Sequence, residues 1–552
     1  MRLYVVVVVL LLCVALHAGC IHAQLNGAGD DLAATESSPN ESFDLGMLSD
    51  EELMAELERR KAALEQKESQ EVVESIIAPA NETIAMLEQD ESEDESVSET
   101  TMQSVNYEEP PMTQGTSGPV EDFVQIYDGE FVVVREADDA SGSAMCEPFY
   151  LTGWNSWDVT RVPRLQSYRS MSGQEALRQQ LKTASESGFN VIRAWGHTID
   201  PRFPVLASPG QYDESGLRAI DFLLSEASKN GIRVILSFVD NWKYPGGVDQ
   251  MIDWSETAPE REIPLPASLL EGGDYNQDGL PEEVKEYIVK RHSLFYTDEG
   301  ARSIYRDYVE TLVNRKNHYN GRIYRDDPTI LAWNLINEPR CESWLVGDCE
   351  EKLQSWIESE SAFVKQLDPN HLVTVGEEGF WASDSEYEFA NPTWWAKKMG
   401  QNFKLNHMPD SIDFATIHIW PDTWSRPEES FQKAWILEHM RQAEEELGKP
   451  LILEEFGKSL EAGDDIARRD QVYRSVQETV EDSAREGHAL KGSLFWNWEV
   501  PLLQSPGTYE INEGDSTFQL VRDHARRMSE IGAGKKAFPC GSTRTVSAFS
   551  GP

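Results

Sequence analysis

The chain has 552 residues and carries 96 Asp and Glu against 49 Lys and Arg, a formal charge of -47. That balance argues against nucleic acid, an anionic membrane surface or a polyanionic substrate, because the mean field repels all three. The excess is uneven: residues 24–120 hold 24 acidic and 4 basic side chains, whereas all sixteen tryptophans fall between Trp154 and Trp498. An acidic N-terminal stretch therefore precedes an aromatic-rich body long enough for a substantial core.

In chain order the first element is an address. The basic start Met1-Arg2 and the apolar run 3–16 have the form of a secretory signal. The run falls short of the about 20 residues a spanning helix needs. Cleavage is expected after Ala23, with Ile21 larger than ideal at the -3 position, so 1–23 would be removed and the protein secreted. An uncleaved anchor is the alternative. Residues 24–120 are rich in Glu, Ser and Asp and poor in aromatics, the composition of a disordered linker or propeptide. Within them Ser49-Asp50-Glu51-Glu52 has the form of a capping box, and 88–99 is a solvated charge run. Two glycosylation sequons, at Asn40 and Asn81, lie in the same segment.

From residue 121 the pattern changes. Residues 123–126 and 131–134 read as a hairpin about Asp128-Gly129. Apolar strand-like runs follow at 149–154, 189–195, 232–238, 329–335, 372–376, 411–418, 450–455 and 492–497. Helical patterns lie between them, among them 174–187, 214–229, 302–314, 428–447 and 465–486. Eight buried strands alternating with helices predict an α/β fold, a closed (β/α)8 barrel over 121–540, with 541–552 as a tail. An open doubly wound sheet would usually carry a Gly-rich phosphate turn, and neither GxGxxG nor GxxxxGK[ST] occurs.

Two connections are long, 240–296 after strand three and 380–409 after strand five, and both leave the catalytic face of such a barrel. They carry Trp242 and Trp381, candidate substrate-binding platforms. The stretch Asp274-Tyr275-Asn276-Gln277-Asp278-Gly279 resembles the start of a calcium loop, but its twelfth position is Lys285, where a bidentate Glu is wanted. A polar turn lining a groove is the better reading, and neither metal nor cofactor is expected. Removal of the signal leaves Cys146, Cys341, Cys349 and Cys540. Of their three pairings, Cys341–Cys349 with Cys146–Cys540 is favoured, in keeping with an oxidising compartment.

The chemistry is read from the strand ends, which face the mouth of a barrel. Strand four ends in Asn334-Leu335-Ile336-Asn337-Glu338-Pro339 and strand seven in Glu454-Glu455-Phe456-Gly457. Two carboxylates three βα units apart face each other, the equipment for glycoside hydrolysis by a proton donor and a nucleophile. Arg193 ends strand two and would keep a nearby carboxylate ionised. Asn337 can bond a sugar hydroxyl. His418 and Trp420 end strand six, and Trp496 ends strand eight with a flat face for a pyranose. Any one of these alone would more often be a core residue, but several at successive strand ends are not what packing needs.

Asn337-Glu338-Pro339-Arg340-Cys341, Glu455-Phe456-Gly457, the arginine after strand two and the strand-eight tryptophan together resemble glycoside hydrolase family 5. With Gln211-Tyr212-Asp213-Glu214, Asp326-Asp327-Pro328 and Ile412-Asp413-Phe414-Ala415-Thr416, the similarity points to its endo-β-1,4-mannanase subgroup. It covers roughly 121–535. The resemblance implies a retaining mechanism, with Glu338 as acid/base and Glu455, the glutamate directly before Phe-Gly, as nucleophile. It places Arg193, Asn337, His418 and Trp496 around the reacting sugar. By alternation along a strand, Glu454 is expected to point into the helix layer. A retaining pair should sit about 5–5.5 Å apart and an inverting pair up to about 9 Å. Most relatives carry Tyr two residues after the strand-six His, where its hydroxyl contacts the nucleophile. Here the residue is Trp420, whose indole donates but cannot accept.

The expected protein is thus a secreted, monomeric hydrolase cutting internal β-1,4 bonds of a neutral mannan, glucomannan or galactomannan. A β-1,4-glucanase of the same family is the nearest alternative, and a non-catalytic carbohydrate-binding wall protein a more distant one.

Overall fold

The computed structural model describes residues 118–540 apart from 136–143, 166–170, 276–278, 384, 461–463 and 501–508. The signal, the sequons, the capping box, the charge run and the tail lie outside the described residues. The apolar runs pair as eight strands: Leu151–Ser156, Val191–Trp195, Arg233–Ser237, Ile330–Asn334, Leu372–Thr374, Ala415–Ile419, Leu451–Phe456 and Leu490–Phe495. Every neighbouring pair is parallel, strands one to five in sequence and strand eight beside strand one. Strands five and six, the ends of that order, meet where the Asp413 N–H donates to Val373 O at 2.8 Å. The sheet thus curls into the expected (β/α)8 barrel. Its strands are buried on both faces, which explains continuous apolar runs in place of alternation.

Eight helices follow the strands in turn: Gly173–Glu186, Glu214–Lys229, Glu299–Val313, Cys349–Leu367, Phe403–His407, Glu429–Gln442, Ile466–Glu486 and Ser516–Gly534. Ser172, Asp213, Asp298 and Asp465 cap four of them, each side chain accepting from a first-turn N–H. The fifth is barely more than a turn, so the long loop after strand five takes over part of the helix layer. Strand six begins four residues later than its apolar run, at Ala415. The Asp413 carboxylate and N–H instead bond Val373 across the seam.

The hairpin forms from Val124–Tyr127 and Glu130–Arg135, and both turn residues, Asp128 and Gly129, have positive φ. Met145–Pro148 and Phe538–Pro539 extend it to a four-stranded antiparallel sheet, which the sequence patterns did not anticipate. Val124, Phe131 and Val133 pack on Leu151, Val191, Leu331, Leu372 and Ile452, near the starts of the barrel strands. This sheet therefore plugs the end of the barrel opposite the mouth. Cys146–Cys540 joins two of its strands, and Cys341–Cys349 closes a loop after barrel strand four, the favoured pairing in both cases. Among the described residues, no helix is long and apolar enough to cross a membrane.

Candidate active site

The mouth is organised around one guanidinium. Arg193, on barrel strand two, is fully buried. Its Nη1 donates to Asn155 Oδ1 at 3.2 Å and to Glu455 Oε1, and its Nη2 to Asn334 Oδ1 at 3.2 Å and Asn337 Oδ1 at 2.8 Å. Burial alone would discharge it, but Glu454 and Glu455 raise its pKa and it stays a cation. A rigid five-donor fork is what four partners on strands one, four and seven require.

Glu338 lies beyond strand four, where Asn337 and Glu338 N–H groups bond Val239 O and Gly376 O at 2.9 and 2.7 Å. Its backbone has φ of 49°, costly for a non-glycine before proline and tolerated where neighbours on both sides fix the chain. The carboxylate is bracketed by donors. His418 Nδ1 at 2.6 Å and Trp420 Nε1 at 3.0 Å reach Oε1, and Trp242 Nε1 at 2.6 Å reaches Oε2. Trp420 thus contacts Glu338 in this chain, through its indole N–H.

Glu455 ends strand seven, and its Oε2 lies 3.5 Å from His418 Nδ1. One ligand atom from each of Glu338, His418 and Glu455 lies within 4.8 Å of the others. The carboxylates are therefore close, far inside the about 9 Å of an inverting pair. Burial pushes Glu338 up, yet the His418 donor and charge, Arg340 and Trp242 outweigh it and hold the group at about 2. Burial lifts Glu455 to about 7 against the pull of His418 and Arg193. Burial opposes charge on His418 as well, but Glu455, Glu338 and Glu454 raise it to about 10. The trio could in shape surround a cation, but a protonated imidazole has no lone pair to give one.

Two expectations fail. Glu454 does not point into the helix layer. Ile417 pairs with Leu453 and His418 with Glu455, so Glu454 is the extra residue of a β-bulge, which breaks the alternation. Its carboxylate accepts from Asn334 Nδ2 at 3.1 Å and lies 3.5 Å from both Arg193 Nε and His418 Nε2. Trp381 is not at the mouth: it is fully buried, stacked on His439 at 3.9 Å with its Nε1 donating to Gln442. The chain after strand five dives under helix Glu429–Gln442, so a tryptophan in that loop became core.

Of the other expected residues, Asn337 is held in place from within the protein, donating to Asp240 Oδ1 at 3.0 Å while accepting from Arg193. Trp496, Trp420 and Trp242 are partly exposed, with Trp496 edge-to-face against Trp420 at 5.8 Å. Asn155, Asn334 and Arg340 were not anticipated. Asn155 was findable, since it stands at the end of strand one, and reading every strand end would have named it. Arg340 donates to Glu378 Oε1 and lies over the Trp242 ring at 4.6 Å.

Comparison with known proteins identifies the family. The family described as GH family 5 beta-mannosidase-like matches residues 129–502. Mannan endo-1,4-beta-mannosidase 2 of Oryza sativa subsp. japonica is 34% identical over 409 residues, covering 70% of this chain and 82% of that protein. Mannan endo-1,4-beta-mannosidase 2 of Arabidopsis thaliana is 33% identical over 393 residues, covering 69% and 83%. The endo-beta-1,4-mannanase structure from Thermotoga petrophila superposes with a TM-score of 0.55 at 26% identity, over 70% of this chain and 78% of that one. With its barrel, its paired glutamates after strands four and seven and this extended match, the chain belongs to glycoside hydrolase family 5, in the β-mannosidase-like group.

Proposed function

We propose that the protein is a secreted endo-acting β-1,4-mannanase that hydrolyses mannan, glucomannan or galactomannan with retention. Glu338 serves as acid/base and Glu455 as nucleophile. The observation that carries the reading is the pair itself, two buried carboxylates within 4.8 Å on strands four and seven, one of them gripped by Arg193. A nucleophile attacking directly needs no room for an intervening water, and this spacing leaves little. Relatives named as mannan endo-1,4-beta-mannosidases favour mannan over glucan as the substrate. Two disulfides fit the oxidising surroundings of a secreted protein.

Below about pH 7 the sugar-free pair holds one proton, resting on Glu455, with Glu338 as the anion. Binding reverses this. The glycosidic oxygen arrives at Glu338, and positive charge developing at the anomeric carbon favours the Glu455 carboxylate. Glu338 then protonates the leaving oxygen as Glu455 attacks, and afterwards draws a proton from the water that frees the covalent glycosyl-enzyme. His418, facing both carboxylates as a cation, steadies whichever is charged.

Release of reducing ends from pure β-mannan and from a soluble β-1,4-glucan tests the substrate. Faster cleavage of the glucan overturns the mannanase reading. Glu455→Gln should cut turnover on the order of 10⁴-fold while sparing binding, and unchanged turnover would mean another nucleophile.

A further inference from the structure

Two indoles outside the site are the exposed ones among tryptophans that are otherwise buried or half-buried. Trp344 is 45% exposed and Trp394 74% exposed, and their rings lie 6.0 Å apart at 45° to each other. They come from separate loops, after barrel strands four and five. A lone exposed aromatic needs no explanation, but two converging from different loops make a built apolar surface. The scaffolding beneath is rigid. Cys341 and Ser343 N–H groups donate to Met399 O and Lys398 O, each at 2.8 Å, and the Cys341–Cys349 bridge spans the segment holding Trp344. Trp395, next to Trp394, is held edge-on by Phe380 and lies 5.3 Å from the Arg340 guanidinium. Arg340 covers Trp242, whose N–H bonds Glu338. A continuous line of contacts therefore runs from the acid/base to the exposed pair.

We infer that Trp344 and Trp394 form an outer sugar-binding platform for the substrate chain. It lies on the Glu338 side of the site, so it takes the leaving-group end. The proposal rests on the reading of the protein as a polysaccharide hydrolase. Flat indole faces suit the apolar face of a pyranose and need no charge, as expected for a neutral occupant of an acidic protein. The occupant continues a chain already seated in the cleft, so the platform adds affinity for long substrates and none for short ones.

The test compares long and short substrates in the full chain. W344A/W394A should raise KM for galactomannan about tenfold, equivalent to about 1.4 kcal/mol, with kcat within about twofold. Mannotetraose, too short to span both regions, should be cleaved as by the parent. W344F/W394F should restore most of the loss, and an unchanged melting temperature shows that folding is intact. Unchanged KM for the polymer, or equal losses on both substrates, overturns the platform. So does a parent dimer that becomes monomeric on substitution, since the rings would then bind a second copy. If the parent cleaves only β-1,4-glucan, the mannan reading fails, and the same comparison on hydroxyethylcellulose and cellotetraose decides the platform. If it cleaves neither, electrophoretic retardation in gels of the two polymers decides: retardation lost in W344A/W394A supports it, and equal retardation overturns it.

Discussion

At the scale of single residues, the site is a set of charges that no member could hold alone. Arg193 is tolerable in a dry barrel because Glu455 and Glu454 answer it, and those two because Arg193 and His418 answer them. In the roles proposed for Glu338 and Glu455, the working form of the pair carries one proton. The last proton leaves at about 7, so kcat/KM should fall as pH rises through about 7. Arg193→Lys keeps the charge but loses the fork. A weaker cation at Glu455 disfavours its ionised form, so its pKa rises and the basic limb should move to higher pH. kcat/KM at the optimum should drop about 10²-fold as Glu455 and Asn337 lose their anchor. A basic limb unmoved, or moved down, in the pH profile would refute the role of Arg193. These residues were legible because a barrel turns the end of each strand towards its mouth. Glu454 was not, because one extra residue in strand seven reverses which side chains face inward, and nothing local in Leu-Glu-Glu-Phe announces a bulge.

At the scale of elements, barrel strands followed continuous apolar runs and helices the 3.6-residue period, while two sheet partners of the hairpin escaped both. Met145–Pro148 and Phe538–Pro539 are short and lie almost four hundred residues apart, so no periodic window contains their pairing. Trp381 failed for a related reason: a tryptophan in a long loop looks available until a distant helix covers it. The plugging sheet has a job that is testable apart from chemistry. Phe131 is wholly buried against Phe414, 5.2 Å edge-on, and its backbone carbonyl accepts from Phe149 N–H as the chain enters strand one. Phe131→Ala empties that end of the barrel and should cost about 3–5 kcal/mol, read from the denaturant midpoint. Because the plug faces away from Glu338 and Glu455, kcat per folded molecule should stay within about twofold. A large fall in kcat without loss of stability would mean the two ends of the barrel are coupled.

At the scale of the whole molecule, the two disulfides divide the labour between holding the fold and shaping the mouth. Cys146–Cys540 closes 394 residues and ties the strand before the barrel to the one after its last helix. Cys341–Cys349 closes eight. If bridges act mainly by restricting the unfolded chain, loop length sets the order: roughly 6 kcal/mol for the long closure and roughly 2.5 for the short. Replacing Cys146 and Cys540 by Ser should therefore lower the thermal midpoint more than replacing Cys341 and Cys349, with kinetics on short oligosaccharides unchanged in both. The short bridge should show itself elsewhere. It closes the loop that carries Trp344, so its loss should raise KM for polymer with little change in midpoint. Calorimetry of the two double variants, beside polymer and oligosaccharide kinetics, separates the roles. A larger midpoint loss from the eight-residue loop would show that contacts around Trp344, and not chain entropy, govern what that bridge contributes.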